Sequence, residues 1–168
     1  MSFISKLGLS IVALLLLICP VRTATQDEQI VPFETVVKYV TNGPREKLQM
    51  VVFKNRDWKQ LWNRAHSGFA SVPPRPEVDF SQRMIIAVSV EYLPDPSWNL
   101  AISKVVTTEN RLKIFIRETH RAGRFCPPTP TVLVYPLQVI EAERVEKNLM
   151  KNAQFEIEQQ LVDCEPPK

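Results

Sequence analysis

Histidine and carboxylate side chains are the groups in this 168-residue sequence that could act as acids or bases. His66 and His120 are the only imidazoles, and either could be a general base beside a nucleophile. No nucleophile motif such as G-x-S-x-G accompanies them, so both are expected to be exposed and not catalytic. Glu91 and Asp95 come nearest to the paired carboxylates of glycoside hydrolases, but ordinary surface charge explains them more simply. The sequence therefore predicts a protein that is not an enzyme and has no catalytic residue.

Glycine, histidine and cysteine are too sparse for two common kinds of site. Phosphate-cradling loops need clustered glycines, because only glycine brings backbone N–H groups close to a phosphate. The glycines stand far apart, at Gly8, Gly43, Gly68 and Gly123. A structural zinc site needs about four Cys or His ligands at short spacing, and no C-x-x-C occurs. We therefore expect no cofactor and no metal.

Residues 1–24 have the form of an export signal. The apolar run over residues 11–18 is too short to span a bilayer, but it suits a secretory signal. We expect cleavage near Thr23 or Ala24, which leaves residues 25–168 as one mature domain without a membrane span. Lipidation at Cys19, within L-L-I-C, is an alternative that would add a lipid anchor, and an uncleaved anchor is another. The protein is expected in the periplasm, in the cell envelope or outside the cell.

Export also bears on the net charge and the cysteines. The whole chain carries a net charge of +3, and removing residues 1–24 leaves 19 basic and 18 acidic residues. A net charge of +1 lacks the basic face that nucleic-acid binding requires, so we expect no nucleic-acid partner. Cys126 and Cys164 are the two cysteines of the mature chain, and an oxidising compartment favours a disulfide between them.

Hydrophobic periodicity predicts a domain of strands with one clear helix. The residues at the spacing of one helix face are Trp58, Leu61, Trp62 and Ala65. Residues 84–90 form a continuous apolar run, typical of a strand buried on both faces. Other strands are expected over residues 33–40, 48–53, 99–108, 111–118 and 131–140, with Pro136 marking an edge or a bulge. The predicted class is α+β: a predominantly antiparallel sheet, or a small open barrel, with an amphipathic helix packed on it.

The C-terminal tail carries two conflicting patterns. The apolar residues that recur every four positions, as in a helix of about 18 residues, are Val145, Leu149, Ala153, Ile157 and Leu161. Phe155 and Ile157 also alternate with Glu156 and Glu158, as they would in a strand. We favour a C-terminal helix over residues 145–161, and the strand remains the alternative.

An ordered set of motifs runs from residue 48 to residue 140. It consists of a W-x-x-L-W helix, a proline-rich crossing, V-D-F at 78–80, an apolar strand, a hairpin and P-x-V-x-V at 130–134. This order resembles the C-terminal domain of the bacterial protease complex subunit PrcB family. The resemblance implies a small exported domain that stabilises a secreted chymotrypsin-like protease and is not itself a peptidase. Residues 95–99 depart from the family's Gly-rich turn, so the partner's identity does not carry over, and 141–168 form an extra tail.

Two loops carry the residues that we expect to contact a partner protein. Tyr92 and Trp98 flank a proline-stiffened loop, while Arg121, Arg124 and Phe125 lie together in a basic loop. Arginine and aromatic residues are enriched at interface hot spots, and stiff loops lose less entropy on binding. These features predict a non-catalytic binding module that stabilises or inhibits an exported partner, for which a serine protease is the family's example. The alternative is an envelope carrier of a small ligand, or a structural envelope protein.

Overall fold

The computed structural model describes residues 28–39 and 41–165. The predicted export signal and Cys19 lie outside these residues. The elements of the described chain, in order, are β1 (Gln29–Ile30), β2 (Phe33–Tyr39), β3 (Leu48–Val52), α1 (Asn55–Ala65), β4 (Arg83–Ser89), β5 (Trp98–Thr108), β6 (Arg111–Arg121), β7 (Leu137–Glu143), α2 (Lys147–Lys151) and β8 (Gln154–Val162).

The strands form two four-stranded sheets. The first has the order β1-β5-β6-β8 and the second has the order β2-β7-β4-β3. Neighbouring strands are antiparallel except for β6 and β8, which are parallel. The predicted α+β class with mainly antiparallel pairing is confirmed. The strands form two separate sheets that are not closed into a barrel, so of the two predicted arrangements the structure has the sheet.

Strand β4 is shared by two apolar layers. Between the sheets, the side chains of alternate β4 residues pack on β6, in a cluster that includes Met84, Ile86, Val88, Leu112, Ile114 and Ile116. On the other face of β4, Ile85 and Ala87 pack against Trp58 and Trp62 of helix α1. Because both faces of β4 are covered, its sequence can be continuously apolar, as predicted.

Helix α1 is attached to the proline-rich crossing by its two tryptophans. Nε1 of Trp58 donates to the carbonyl of Pro76 at 3.0 Å, and Nε1 of Trp62 donates to the carbonyl of Pro73 at 2.9 Å. Both indole rings are buried, and their centroids are 5.1 Å apart. A buried tryptophan whose N–H has a partner contributes a large apolar area without an unsatisfied donor. The predicted core-packing role of this helix face is confirmed.

The tail differs from the predicted helix over residues 145–161. Helix α2 has only five residues, and β8 then runs parallel to β6, with Phe155 opposite Ile114 and Ile157 opposite Ile116. Pairing with β6 satisfies backbone groups of the tail and brings Phe155 against the core. Pairing with β6 therefore decides the structure after residue 153 in favour of the strand, which was the alternative, and the helix prediction is wrong there.

Pro136 precedes β7 instead of interrupting it. Strand β7 begins at Leu137 and lies between β2 and β4, so the predicted edge position is wrong. Val134 and Tyr135 make only isolated bridges, to Leu93 and Asn42. Since proline has no N–H to donate within a central strand, the ladder begins one residue later.

Candidate functional site

Three parts of the chain meet at one end of the two-sheet stack. Leu93 and Val134 exchange backbone hydrogen bonds of 2.8 and 3.0 Å, which joins the β4–β5 loop to the β6–β7 segment. The N–H of Ala122 donates to the carbonyl of Val162 at 3.1 Å, which joins the same segment to the end of β8. We call this region the loop end and define it as residues 90–98, 120–136 and 161–165.

The predicted disulfide is formed, and it lies at the loop end. It joins Cys126 to Cys164, whose Cα atoms are 5.0 Å apart. Gly123 has φ of +148°, and a Cβ there would collide with the carboxylate of Asp163. Only glycine accepts both conditions without strain. The basic loop is therefore held against the end of β8 by a covalent bond and by close packing.

Exposed apolar side chains are concentrated at the loop end. Within the described residues, eight large hydrophobic side chains are at least 41% exposed, and five of them belong to this region. These five are Tyr92, Phe125, Val132, Leu133 and Leu161. Single exposed hydrophobic residues are ordinary on protein surfaces, whereas a concentration of them marks a candidate interaction surface.

The structure brings together the two loops that the sequence singled out. The N–H of Arg121 donates to the carbonyl of Ser97 at 3.1 Å. Trp98, which is half-buried, stacks on His120 with ring centroids 4.4 Å apart and planes inclined by 6°. Tyr92 is 51% exposed at the other end of the same loop. All these residues lie at the loop end, and their role in binding stays a prediction.

The basic loop presents cations beside an aromatic ring. Arg121 and Arg124 are exposed, and the Arg124 guanidinium carbon lies 5.9 Å from the centroid of the Phe125 ring. This distance is within the range of a cation–π interaction. A neighbouring cleft of about 320 Å³ is lined by Pro96, Ser97, Trp98, Asn99, Thr119 and Arg121. The surface therefore offers an aromatic ring, two guanidinium groups and a concave site.

Asp95 fixes the shape of the proline-stiffened loop. Its carboxylate accepts the Ser97 N–H at 2.7 Å and the hydroxyls of Ser97 and Thr129. The Ser97 hydroxyl and N–H, with a smaller contribution from His120, hold the pKa of Asp95 below its usual range. Asp79 forms the same kind of turn with Ser81, whose N–H lies 2.9 Å from its carboxylate. Both carboxylates are thus committed to local backbone structure.

His66 is fully buried, so its predicted exposure is wrong. Nδ1 lies 2.7 Å from the Trp62 carbonyl, and Nε2 lies 2.7 Å from the Tyr39 hydroxyl. A carbonyl only accepts, so Nδ1 carries a proton, and in the neutral imidazole Nε2 then accepts the Tyr39 hydroxyl. The sequence does hold a signal for this burial, because His66 follows Trp58 and Trp62 at intervals of four.

Three exposed apolar residues of the loop end are not predicted from the sequence. Val132 and Leu133 lie in the predicted strand 131–140, and Leu161 lies in the predicted helix, so all three were expected to contribute to packing. The signal that could have identified the first two is the group of prolines just before them, at Pro127, Pro128 and Pro130. Proline cannot donate to a strand ladder, so a segment with several prolines is disfavoured in the interior of a sheet.

The described residues hold neither a metal-binding cluster nor a membrane-spanning helix. Within residues 28–39 and 41–165, no group of three or more His, Cys, Asp or Glu side chains is placed to hold a metal ion. No helix of this part of the chain has the length and apolar character needed to cross a membrane.

Comparison with known proteins leaves the family open. The chain matches no family model, no curated protein and no solved structure. The resemblance to the PrcB family therefore stays a prediction from the order of its motifs.

Proposed function

We propose that this protein is an exported, non-catalytic binding module that docks through its loop end on a partner protein and stabilises it. The resemblance to the PrcB family suggests an exported serine protease as the partner. The observation that carries the proposal is the concentration of exposed apolar and cationic side chains at one stiffened end of the molecule. Arginine and aromatic residues, here Arg121, Arg124, Tyr92 and Phe125, are enriched at protein interfaces.

The composition of the loop end fits an interface centre with a polar surround. Phe125 and Leu161 offer apolar area at exposed fractions of 48% and 70%. Arg121 and Arg124 supply guanidinium groups that can bind carboxylates through two parallel hydrogen bonds. A partner surface with an apolar pocket and nearby acidic groups would complement this arrangement.

The loop end is also stiff, which favours binding. Asp95 fixes the first loop through Ser97, and the disulfide of Cys126 and Cys164 fixes the second. Ordering a flexible side chain or loop at an interface opposes association by about 0.5–1.5 kcal/mol per immobilised side chain. A surface that is already ordered avoids part of this loss.

The partner is stabilised if the domain binds its folded state and not its unfolded state. A ligand at 100 times its dissociation constant raises the partner's free energy of unfolding by about 2.7 kcal/mol. The same docking would inhibit a protease if the loop end covered its substrate cleft. Activity measured beside thermal stability distinguishes these outcomes.

The packed interior favours this proposal over a carrier of small apolar ligands. The space between the sheets is filled by buried side chains, including Ile114 of β6 and Ile140 of β7, which are 0% exposed. A ligand placed between the sheets would have to displace such side chains, and filled cores resist overpacking. The exposed surface is therefore the better candidate for binding.

The test uses the exported serine protease encoded nearest to this chain. Its melting temperature is measured alone, with the wild-type domain and with two triple variants. The loop-end variant is Arg121→Ala, Arg124→Ala and Phe125→Ala, and the matched control is Arg56→Ala, Lys59→Ala and Val72→Ala, which are exposed residues outside the loop end. The proposal predicts a rise in melting temperature with the wild type and the control, and no rise with the loop-end variant. Equal rises with both variants, or no rise at saturating wild type, would contradict it.

A further inference from the structure

We propose that strand β8 is a docking edge that accepts an extended, basic segment of the partner as an additional strand of the first sheet. This inference rests on the proposed function and names the kind of partner segment that binds beside the loop end. Its basis is the backbone direction, the exposed apolar residues and the charge of β8.

The outer side of β8 has free backbone groups. β8 is the last strand of the first sheet, and no strand of the described chain pairs with its outer side. The carbonyl of Val162 accepts the N–H of Ala122, so the backbone of Val162 faces β6. Backbone groups of successive residues point to opposite sides of a strand. The N–H and C=O groups of Ile157, Gln159 and Leu161 therefore point toward the free edge.

Two apolar side chains of these residues are left uncovered. Ile157 lies opposite Ile116, which is buried in the core, so Ile157 shares the core-facing side of the first sheet. Ile157 is nevertheless 41% exposed, and Leu161, on the same side, is 70% exposed. The second sheet thus leaves part of β8 uncovered. A further strand with apolar residues on this side would bury both side chains.

The charge of β8 selects a basic segment. Residues 154–165 contain no Lys or Arg and four carboxylates, at Glu156, Glu158, Asp163 and Glu165. On the β6 side, Nζ of Lys113 lies 3.9 Å from Glu156, and Arg117 is directly opposite Glu158 in the ladder but makes no ion pair with it within 4.0 Å. On the outer side of β8, no strand of the described chain supplies a cation to either carboxylate. Opposite charges on neighbouring strands attract, and like charges directly opposite repel. Lysines or arginines on the added strand would therefore complement Glu156 and Glu158.

The same charges argue against a second copy of this chain as the occupant. Pairing β8 with another β8 would bring carboxylates of one copy against those of the other. Other common protections of a sheet edge do not occur in β8: residues 154–162 contain no proline and no lysine, and their pairing with β6 has no register shift. The edge is thus open to a basic strand and unfavourable for self-pairing.

The experiment measures binding of the labelled peptide acetyl-Lys-Val-Lys-Val-Lys-Val-Lys-amide to the exported protein by fluorescence anisotropy. We expect saturable binding, and none by the analogue with glutamate in place of lysine. Two further analogues carry N-methyl groups on the valines or on the lysines. Both analogues keep the charge. Because the N–H groups of alternate residues face the same side of a strand, only one of the two analogues leaves free the N–H groups that face β8. We expect that analogue to bind and the other to fail. Equal binding of the two would overturn edge pairing.

Protein variants locate the peptide on β8. Leu161→Pro removes an outward N–H without removing one from the β6–β8 ladder, and we expect affinity to fall by about tenfold or more. Leu161→Thr keeps the N–H and is expected to lose only about threefold. Circular dichroism and the melting temperature verify that both variants fold. If Leu161→Pro fails to fold, the Glu156→Lys, Glu158→Lys double variant gives the test, with an expected loss of about fivefold. Unchanged peptide affinity in Leu161→Pro, or in the double variant where Leu161→Pro does not fold, would overturn the proposal.

The two proposals fail separately. The Arg121, Arg124 and Phe125 triple alanine variant should bind the peptide at least as tightly as the wild type does, because the substitutions remove only cations and an aromatic ring outside β8. No peptide binding combined with stabilisation of the protease would remove the edge proposal alone, whereas peptide binding without stabilisation would remove the proposed function. Concentration-dependent dimers that are lost in Leu161→Pro would identify a second copy as the occupant and overturn the basic segment.

Discussion

The indole of Trp98 stacks on the imidazole of His120, with ring centroids 4.4 Å apart, and the two residues are also partners in the β5–β6 ladder. The stack lies where β5 begins and β6 ends. Arg121 follows directly, and its N–H is held by the carbonyl of Ser97. The base of the candidate binding surface is therefore fixed by sheet pairing and ring packing together.

Replacing Trp98 by alanine removes this stack and part of the apolar contact around it. Because the ring is half-buried, we expect the free energy of unfolding to fall by about 2 kcal/mol, which urea denaturation measures. His120→Phe keeps an aromatic partner and should lose less than about 1 kcal/mol. An unchanged denaturation midpoint in Trp98→Ala would show that the stack contributes no stability.

Tyr39→Phe leaves Nε2 of the buried His66 without its donor. An unsatisfied buried acceptor destabilises a fold by about 1–3 kcal/mol, and we expect a loss in this range. Tyr92→Phe is the matched control, since Tyr92 is 51% exposed, and its effect should stay below about 0.5 kcal/mol. Equal stability of the two variants would contradict the inferred hydrogen bond.

Because the carboxylate of Asp95 holds a turn, we expect the free energy of unfolding to fall in acid. Its folded-state pKa is lowered by the Ser97 donors, so its contribution is complete above the unfolded value of about 3.9 and is lost as pH falls through the folded pKa. The stability of the wild type should therefore approach that of Asp95→Asn between about pH 5 and pH 2. Thermal unfolding across this range measures the difference, and a gap that widens toward acid would contradict the assignment.

Breaking the disulfide should destabilise the whole domain. Cys126 and Cys164 are 38 positions apart, and the chain-entropy model gives about 4 kcal/mol for a loop of this length. We expect Cys126→Ser with Cys164→Ser to lower the denaturation midpoint, and amide hydrogen exchange to rise in residues 122–126. The wild type in reducing agent should behave alike. An unaltered midpoint in both would show that the loop end does not depend on this bond.

Each element that the sequence predicts correctly has a hydrophobic pattern contained within its own short segment. Helix α1 is visible from the spacing of Trp58 and Trp62, and β4 from its continuous apolar run. The tail is different, because the four-residue recurrence and the strand alternation use overlapping residues. The choice between them comes from pairing with β6, some 40 positions earlier in the chain. Local periodicity does not contain that contact.

The candidate site is only partly predictable for the same reason. Arg121, Arg124 and Phe125 lie within five consecutive positions, so the sequence alone shows that they belong together. Leu161 joins them only because the parallel β6–β8 pairing brings it to the loop end. The hydrogen bond of His66 with Tyr39 likewise joins residues 27 positions apart. Relationships of this kind require the three-dimensional structure.

The central claim is that the loop end contacts a partner protein, and site-specific photo-crosslinking in the host tests it most directly. A photoreactive phenylalanine analogue is placed at Phe125 or at Val72, which are both 48% exposed. We expect one abundant exported protein to crosslink at Phe125 and no such adduct to form at Val72. The adduct at Phe125 should be lost when Arg121 and Arg124 are replaced by alanine. Absence of a protein adduct at Phe125, or the same adducts at both positions, would contradict the account.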